Sequence, residues 1–376
     1  MSYSYKTWIF IVSQLRFVFK FDKINVQMKD KTAFYFYGNW KAINGYLGEP
    51  QKTLQLLIGY LKEQSNIVEI LGDIGEVQKI KNGNYKVLIF GDLPTISIRT
   101  FLCLISGVSF AKIHFILFKE KMTFSDISFF LKNIDSLKRV RYLNNVSLLE
   151  IFLPQKLLYY FFSLNRKKIF AAFFPTSTVD KSRVFLCSCL EENYLRQFVT
   201  LSNRKFDRKK IELLYFGRDS YLRGVDVIKE LNEIDKEYTI SCTGIFPFKG
   251  FLSQEGLQYP YYMYDNNKNI LEKVKEATFT LFPFRARFAG PDVPAALVES
   301  FLLGVPPIIS EVLLFDVLKK HKYPLVIDRI SAGSIKKCLQ ENIKNEKDYE
   351  DIVNLCHLIS KDIVSKYSYS FEKINV

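Results

Sequence analysis

"ATFTLFPFRARFAGPDVPAALVESFLLGVPPIIS", residues 277–310, reads as a buried strand, an irregular loop, a helix and a second buried strand. "ATFTLFPF" (277–284) and "VPPIIS" (305–310) are apolar runs of strand length, and between them Pro294 suits a first helical turn and Gly304 a helix end. One carboxylate, Glu299, sits about one turn inside this otherwise apolar helix. A charged carboxylate in a packed interior costs roughly several kcal/mol unless it is paired or opens on a cleft.

The same alternation runs outward in both directions. Toward the N-terminus, "TAFYFYG" (32–38), "NIVEIL" (66–71), "KVLIFGD" (86–92), "KIHFILF" (112–118), "VSLLEIF" (146–152) and "KKIFAAFF" (167–174) read as strands. Between the first two lies a helical pattern over 49–63, with Leu54, Leu57, Ile58 and Leu61 on one face. The rhythm weakens across 176–209 and ends in the basic segment "SNRKFDRKK" (202–210). A second series follows: strand 211–217, helix 223–234, strand 238–244, helix 266–277, the opening stretch, and "YPLVIDR" (323–329). Strands alternating with helices predict parallel sheets covered on both faces, and two such sheets in tandem place a ligand site in the cleft between them, at the carboxyl ends of the strands. We divide the chain into an extension (1–27), a first domain (28–205), a second domain (206–350) and a C-terminal helix (351–376) expected to pack back on the first domain.

The totals agree with a globular chain of two domains: 376 residues, 48% hydrophobic and 24% charged. The formal net charge of +14 attracts polyanions in general, whether nucleic acid, an anionic membrane surface or phosphorylated small molecules. No nucleic-acid module is apparent, and the aromatic residues fall in core strands and helices, so no nucleic-acid partner is expected. The six cysteines include no CxxC pair, which suits a reduced, cytoplasmic setting; Cys187 and Cys189 read as same-face residues of a strand. Three dispersed histidines give a zinc site no support, and His114 is assigned to a core strand. Residues 1–27 form neither a signal peptide nor a membrane span; a start at Met28 and a basic, aromatic surface anchor are equal readings of them.

"LLYFGRDSYLRGVDVIKELN" (213–232) has the pattern of an anion-binding turn. Gly217 ends a strand, Arg218 and Arg223 flank a short loop, and Gly224 opens a helix. Helix N–H groups and two guanidiniums together suit a diphosphate, although a basic loop in this position is commonly only a solvated surface. Glu299, one turn into its own helix, can accept two hydroxyl hydrogen bonds from a vicinal diol such as ribose; the bland alternative is a carboxylate on a half-exposed helix face.

These stretches resemble the carboxyl-terminal, nucleotide-sugar-binding domain of the family 4 glycosyltransferases of the GT-B fold. The Gly-Arg pair at 217–218 and the "RG" at 223–224 are similar to that family's Gly-Arg and Lys-Gly, with Arg223 where the family has Lys. "EATFTLFPF" looks like its "ADVFVLPS" strand, and "ALVESFLLGVPPIIS" like its "xxLEAMACGVPVVAS" element. "YPYYMYDNNKNILEKVKEA" sits where the family places its nucleotide-base loop. The resemblance covers 210–310 well and the first domain in rhythm only.

The resemblance implies two Rossmann-like domains facing across a cleft. It further implies transfer of a sugar from a UDP- or GDP-sugar to a hydroxyl of a glycan or lipid-linked acceptor, with retention of configuration. Arg218, Arg223 and Glu299 would be the catalytic residues, with Gly217, Gly224, Gly290, Asp292 and Glu299 around the donor, and Gly45 and Gly48 in an acceptor-side loop. No Asp-x-Asp triplet occurs in the chain, so no metal and no cofactor beyond the donor are expected. A cytoplasmic enzyme of glycan biosynthesis, peripheral on an anionic membrane, is the implied setting. One departure bears on turnover: of the family's two glutamates separated by seven residues, Glu299 matches the second, whereas Pro291 holds the first position, beside Asp292.

Overall fold

In a computed structural model, the described residues are 31–36, 56–60, 62–63, 67–71, 87–91, 112–117, 168–171, 188–195, 198, 206, 211–216, 223–234, 238–243, 261–262, 267–285 and 293–368. They contain two parallel sheets. The first is built from β1 (Lys31–Phe36), β2 (Ile67–Leu71), β3 (Val87–Gly91), β4 (Lys112–Leu117) and β5 (Lys168–Ala171), in the order β2-β1-β3-β4-β5 with every pairing parallel. His114 lies inside β4, level with Ile89 of β3 and Lys168 of β5. The strand expected over 146–152 lies outside the described residues.

The second sheet comprises β6 (Ile211–Phe216), β7 (Tyr238–Thr243), β8 (Tyr261–Tyr262), β9 (Phe279–Phe282), β10 (Pro307–Ser310) and β11 (Val326–Ile327). Its order, β11-β10-β9-β6-β7-β8, is again parallel throughout. Counted from its first strand this is the doubly wound order 3-2-1-4-5-6, which reverses direction between β6 and β9. Both strands at the reversal are sealed: Leu213, Leu214 and Tyr215 of β6 and all of β9 are buried, as strands covered on both faces require. The buried Thr280 hydroxyl of β9 donates to Ser300 Oγ at 3.1 Å, and Ser300 donates in turn to the Ala296 carbonyl at 2.9 Å, so neither polar group is left unmet in the core.

The described helices that follow β5 in the chain are α1 (Glu192–Leu195), α2 (Asp226–Ile234), α3 (Asn267–Glu276), α4 (Ala295–Leu302), α5 (Asp316–Lys320), α6 (Ala332–Asn342) and α7 (Glu346–Tyr367). Helix α7 opens with a capping box between Asn345 and Asp348, and its Tyr349, Ile352, Cys356, Ile359, Ile363 and Tyr367 form one buried stripe along α4 and α5. Residues 346–350 and 351–367 are therefore one helix, and 369–376 lie outside the described residues. Tyr349 donates to the Thr278 carbonyl, meets Phe279 edge-on, and stacks at 4.7 Å on Phe206, the apolar residue within the basic boundary segment.

Cys189 departs from expectation. It lies in a 3-10 turn, Ser188–Leu190, rather than a strand. All three residues of the turn are buried, and the turn packs on α4. A run enclosed on every side leaves no alternation from which a strand could be told from a turn.

Candidate functional site

The reversal between β6 and β9 is where the second sheet can hold a ligand, because helices leave its carboxyl edge in opposite directions there. Helix α2 follows β6 and α4 follows β9. Their first turns and the ends of the two strands form the described part of the site.

Three contacts register the start of α2 against the three residues after β9. Gly224, with φ +71°, packs so closely on this segment that a Cβ there would lie 2.1 Å from the Pro283 carbonyl oxygen. The Arg223 guanidinium lies over the Phe284 ring, 5.2 Å from its centroid. Asp226, the first residue of α2, accepts two hydrogen bonds from Arg285, each at 2.6 Å. The neighbouring strand joins in, since Ser310 at the end of β10 donates to the Phe284 carbonyl at 2.7 Å. The start of α2 and the end of β10 are thus both tied to the residues that follow β9.

Helix α4, the next helix after β9, carries Glu299. It starts after Pro294, whose carbonyl accepts from Leu297 and Val298, and ends in a Schellman motif: Val305 N–H donates to Ser300 O and Gly304 N–H to Phe301 O. Gly304 holds φ +68°, and a Cβ on it would meet the His357 ring of α7 at 2.5 Å. Glu299 is buried, 3% exposed, with its Oε1 sealed from solvent. The half-exposed helix face is therefore not its environment. Ala295 and Ala296, one turn earlier on the same side of α4, are less enclosed than Leu297, Val298, Ser300 and Phe301, which are fully sealed. Glu299 lies at the seam between the core and the more open side of the helix.

Of the residues singled out from sequence, Arg223 and Gly224 meet at the end of β9, and Glu299 projects from the helix that follows it. Gly217, Arg218, Gly290, Asp292, Gly45 and Gly48 lie outside the described residues. Asp226, Phe284, Arg285 and Ser310 had not been singled out; the adjacency of β6 and β9 is the signal that would have found them. A surface depression of about 580 Å³ between α5 and α7, lined by Asp316, Val317, Lys320, Asp362, Ser365 and Lys366, shares no residue with the strand ends. Among the described residues, no group of three His, Cys, Asp or Glu side chains is arranged to hold a metal ion, and no helix is long and apolar enough to cross a membrane.

No family model matches the chain, and no curated protein sequence matches it. Among solved structures the fold is similar to that of a sucrose-phosphate synthase from Thermosynechococcus elongatus, at 10% identity over 92% of this chain and 96% of the other, with a TM-score of 0.53. It is also similar to OtsA, at 9% identity over 90% of this chain and 96% of that one, with a TM-score of 0.50. At such identities the likeness is one of fold. It extends over nearly the whole of each chain, and the architecture is GT-B: two Rossmann-like α/β domains facing across a cleft.

Proposed function

We propose that this chain is a glycosyltransferase that moves a sugar from a nucleotide-diphosphate sugar, a UDP- or GDP-sugar, to an acceptor hydroxyl. The observation that carries the reading is the packing of a glycine-opened helix start, bearing Arg223, on the residues just after β9 at the reversal of a doubly wound sheet. The helix that follows β9 in the chain carries the buried Glu299. In this reading the first turn of α2 and the guanidiniums of Arg223 and Arg218 hold the diphosphate. They stabilise the charge that builds on it as the sugar leaves. Glu299 accepts hydrogen bonds from the ribose hydroxyls, and amides near Gly290, with Asp292, face the donor sugar. Gly217 and Gly224 let the backbone approach the phosphates, and Gly45 and Gly48 belong to the acceptor side. The acceptor proton passes to the departing diphosphate, with retention at the sugar and no metal. The acceptor is a glycan or lipid-linked glycan, met at an anionic membrane surface on the cytoplasmic side.

Calorimetric titration of UDP, GDP and ADP and their sugars tests the donor site. One base is expected to be preferred, and Glu299→Gln is expected to weaken that nucleotide about tenfold, the size of a lost hydrogen bond to a charged group. Unchanged affinity in Glu299→Gln would remove the carboxylate from the donor site.

A second reading, nucleotide-sugar binding without transfer, is favoured by Pro291, which stands where the resembled family carries its first glutamate. Donor binding with neither transfer nor donor hydrolysis would decide for it.

A further inference from the structure

The Arg285–Asp226 pair closes on the turn proposed to hold the diphosphate. Asp226 is the first residue of α2, and a carboxylate there suits an isolated helix because it complements the positive end of the dipole. At a turn that must receive a diphosphate the same charge repels the ligand and competes for the same N–H groups. Here both Asp226 oxygens are engaged by the two terminal nitrogens of Arg285, fork to fork. The pair is only partly open to water, with side chains 14% and 27% exposed, so salt screens it less than an ion pair on the open surface. It also sits beside the backbone contact of Gly224 with Pro283 and the stacking of Arg223 on Phe284, so it bears on how that turn is held.

We infer that Arg285 is a positioning residue of the donor site. It neutralises Asp226 and holds the first turn of α2 against the end of β9, so that the charge offered to a diphosphate is that of Arg223 and its neighbours. This rests on the donor reading above. Arg285 acts through Asp226 and touches no reacting atom.

The test uses the full chain, with UDP and GDP as probes and uridine and guanosine as their uncharged counterparts. Arg285→Met is expected to weaken the preferred diphosphate about tenfold or more while leaving its nucleoside within about twofold, since the lost term is electrostatic. Adding Asp226→Asn to Arg285→Met is expected to restore most of the loss. Asp226→Asn alone, which frees the Arg285 charge, should bind the diphosphate at least as tightly as the wild type. A loss that Asp226→Asn does not repair would make Arg285 a direct ligand contact and overturn the inference. An unaltered affinity in Arg285→Met, or a weaker one in Asp226→Asn, would overturn it equally. Should Arg285→Met not fold, Asp226→Asn alone decides. A wild type that binds neither diphosphate would bring down the donor reading itself, so the two failures separate at the first titration.

Discussion

Gly224 meets two demands at one atom. Its φ of +71° lies in the left-handed region, and the space a Cβ would occupy is already filled by the Pro283 carbonyl. Backbone cannot swing aside as a side-chain tip can, so Gly224→Ala is expected to destabilise the second domain by about 2 kcal/mol or more, read from denaturant unfolding. The sequence showed this glycine plainly, since a glycine between a basic loop and an amphipathic helix invites only a few readings. Glu299 was half legible. Its isolation within "ALVESFLLG" marked it, but an amphipathic helix could have turned it outward, and only the packing of α4 against β10, the Ser188–Leu190 turn and α7 shows that it is enclosed. Arg285 was not legible at all. It lies 59 residues from Asp226, and local periodicity says nothing about which strands become neighbours.

Among the elements, α4 and α7 depend most on each other. The Schellman turn that ends α4 needs a glycine at 304, and the His357 ring of α7 lies directly against it. Burial lowers the His357 pKa below the ordinary 6.5, and nearby Lys361 lowers it further. The unfolded chain therefore takes up the proton more readily than the folded one. Stability is at its plateau above about pH 6.5 and falls as pH drops through the lowered folded value. Thermal unfolding followed from pH 8 to 5 is expected to show this decline, and His357→Gln should flatten it. Asp362 works in a separate, more acidic window: hydrogen bonds from Lys320 and His321 hold its pKa below the ordinary carboxylate value, so its contribution is lost only on acidification through that lowered range. The helix and strand types of this half were readable because the periods of α2, α3 and α7 are long and regular. The turn at Ser188–Leu190 was misread because three consecutive buried residues carry no period.

For the whole molecule, the decisive property is the order of the six-stranded sheet, which the alternation of strands and helices foreshadowed as parallel without specifying where it reverses. That reversal places the ends of β6 and β9 side by side, and with them Arg223, Gly224 and Asp226 against residues 283–285. The net charge of +14 belongs to this scale too, because it acts on whatever surface the protein approaches. Co-sedimentation with phosphatidylcholine vesicles containing phosphatidylserine is expected at low salt and should be lost at high salt or without the anionic lipid. Failure to sediment at low salt would count against a membrane-borne acceptor. The buried stripe of α7 has a consequence for how the protein is made. It follows every strand of the second sheet in chain order, yet it covers the helix that carries Glu299. During translation that helix waits with one apolar flank open to water until residues 346–367 have cleared the ribosome, so a nascent chain stalled before then leaves a sticky flank for a chaperone to shield.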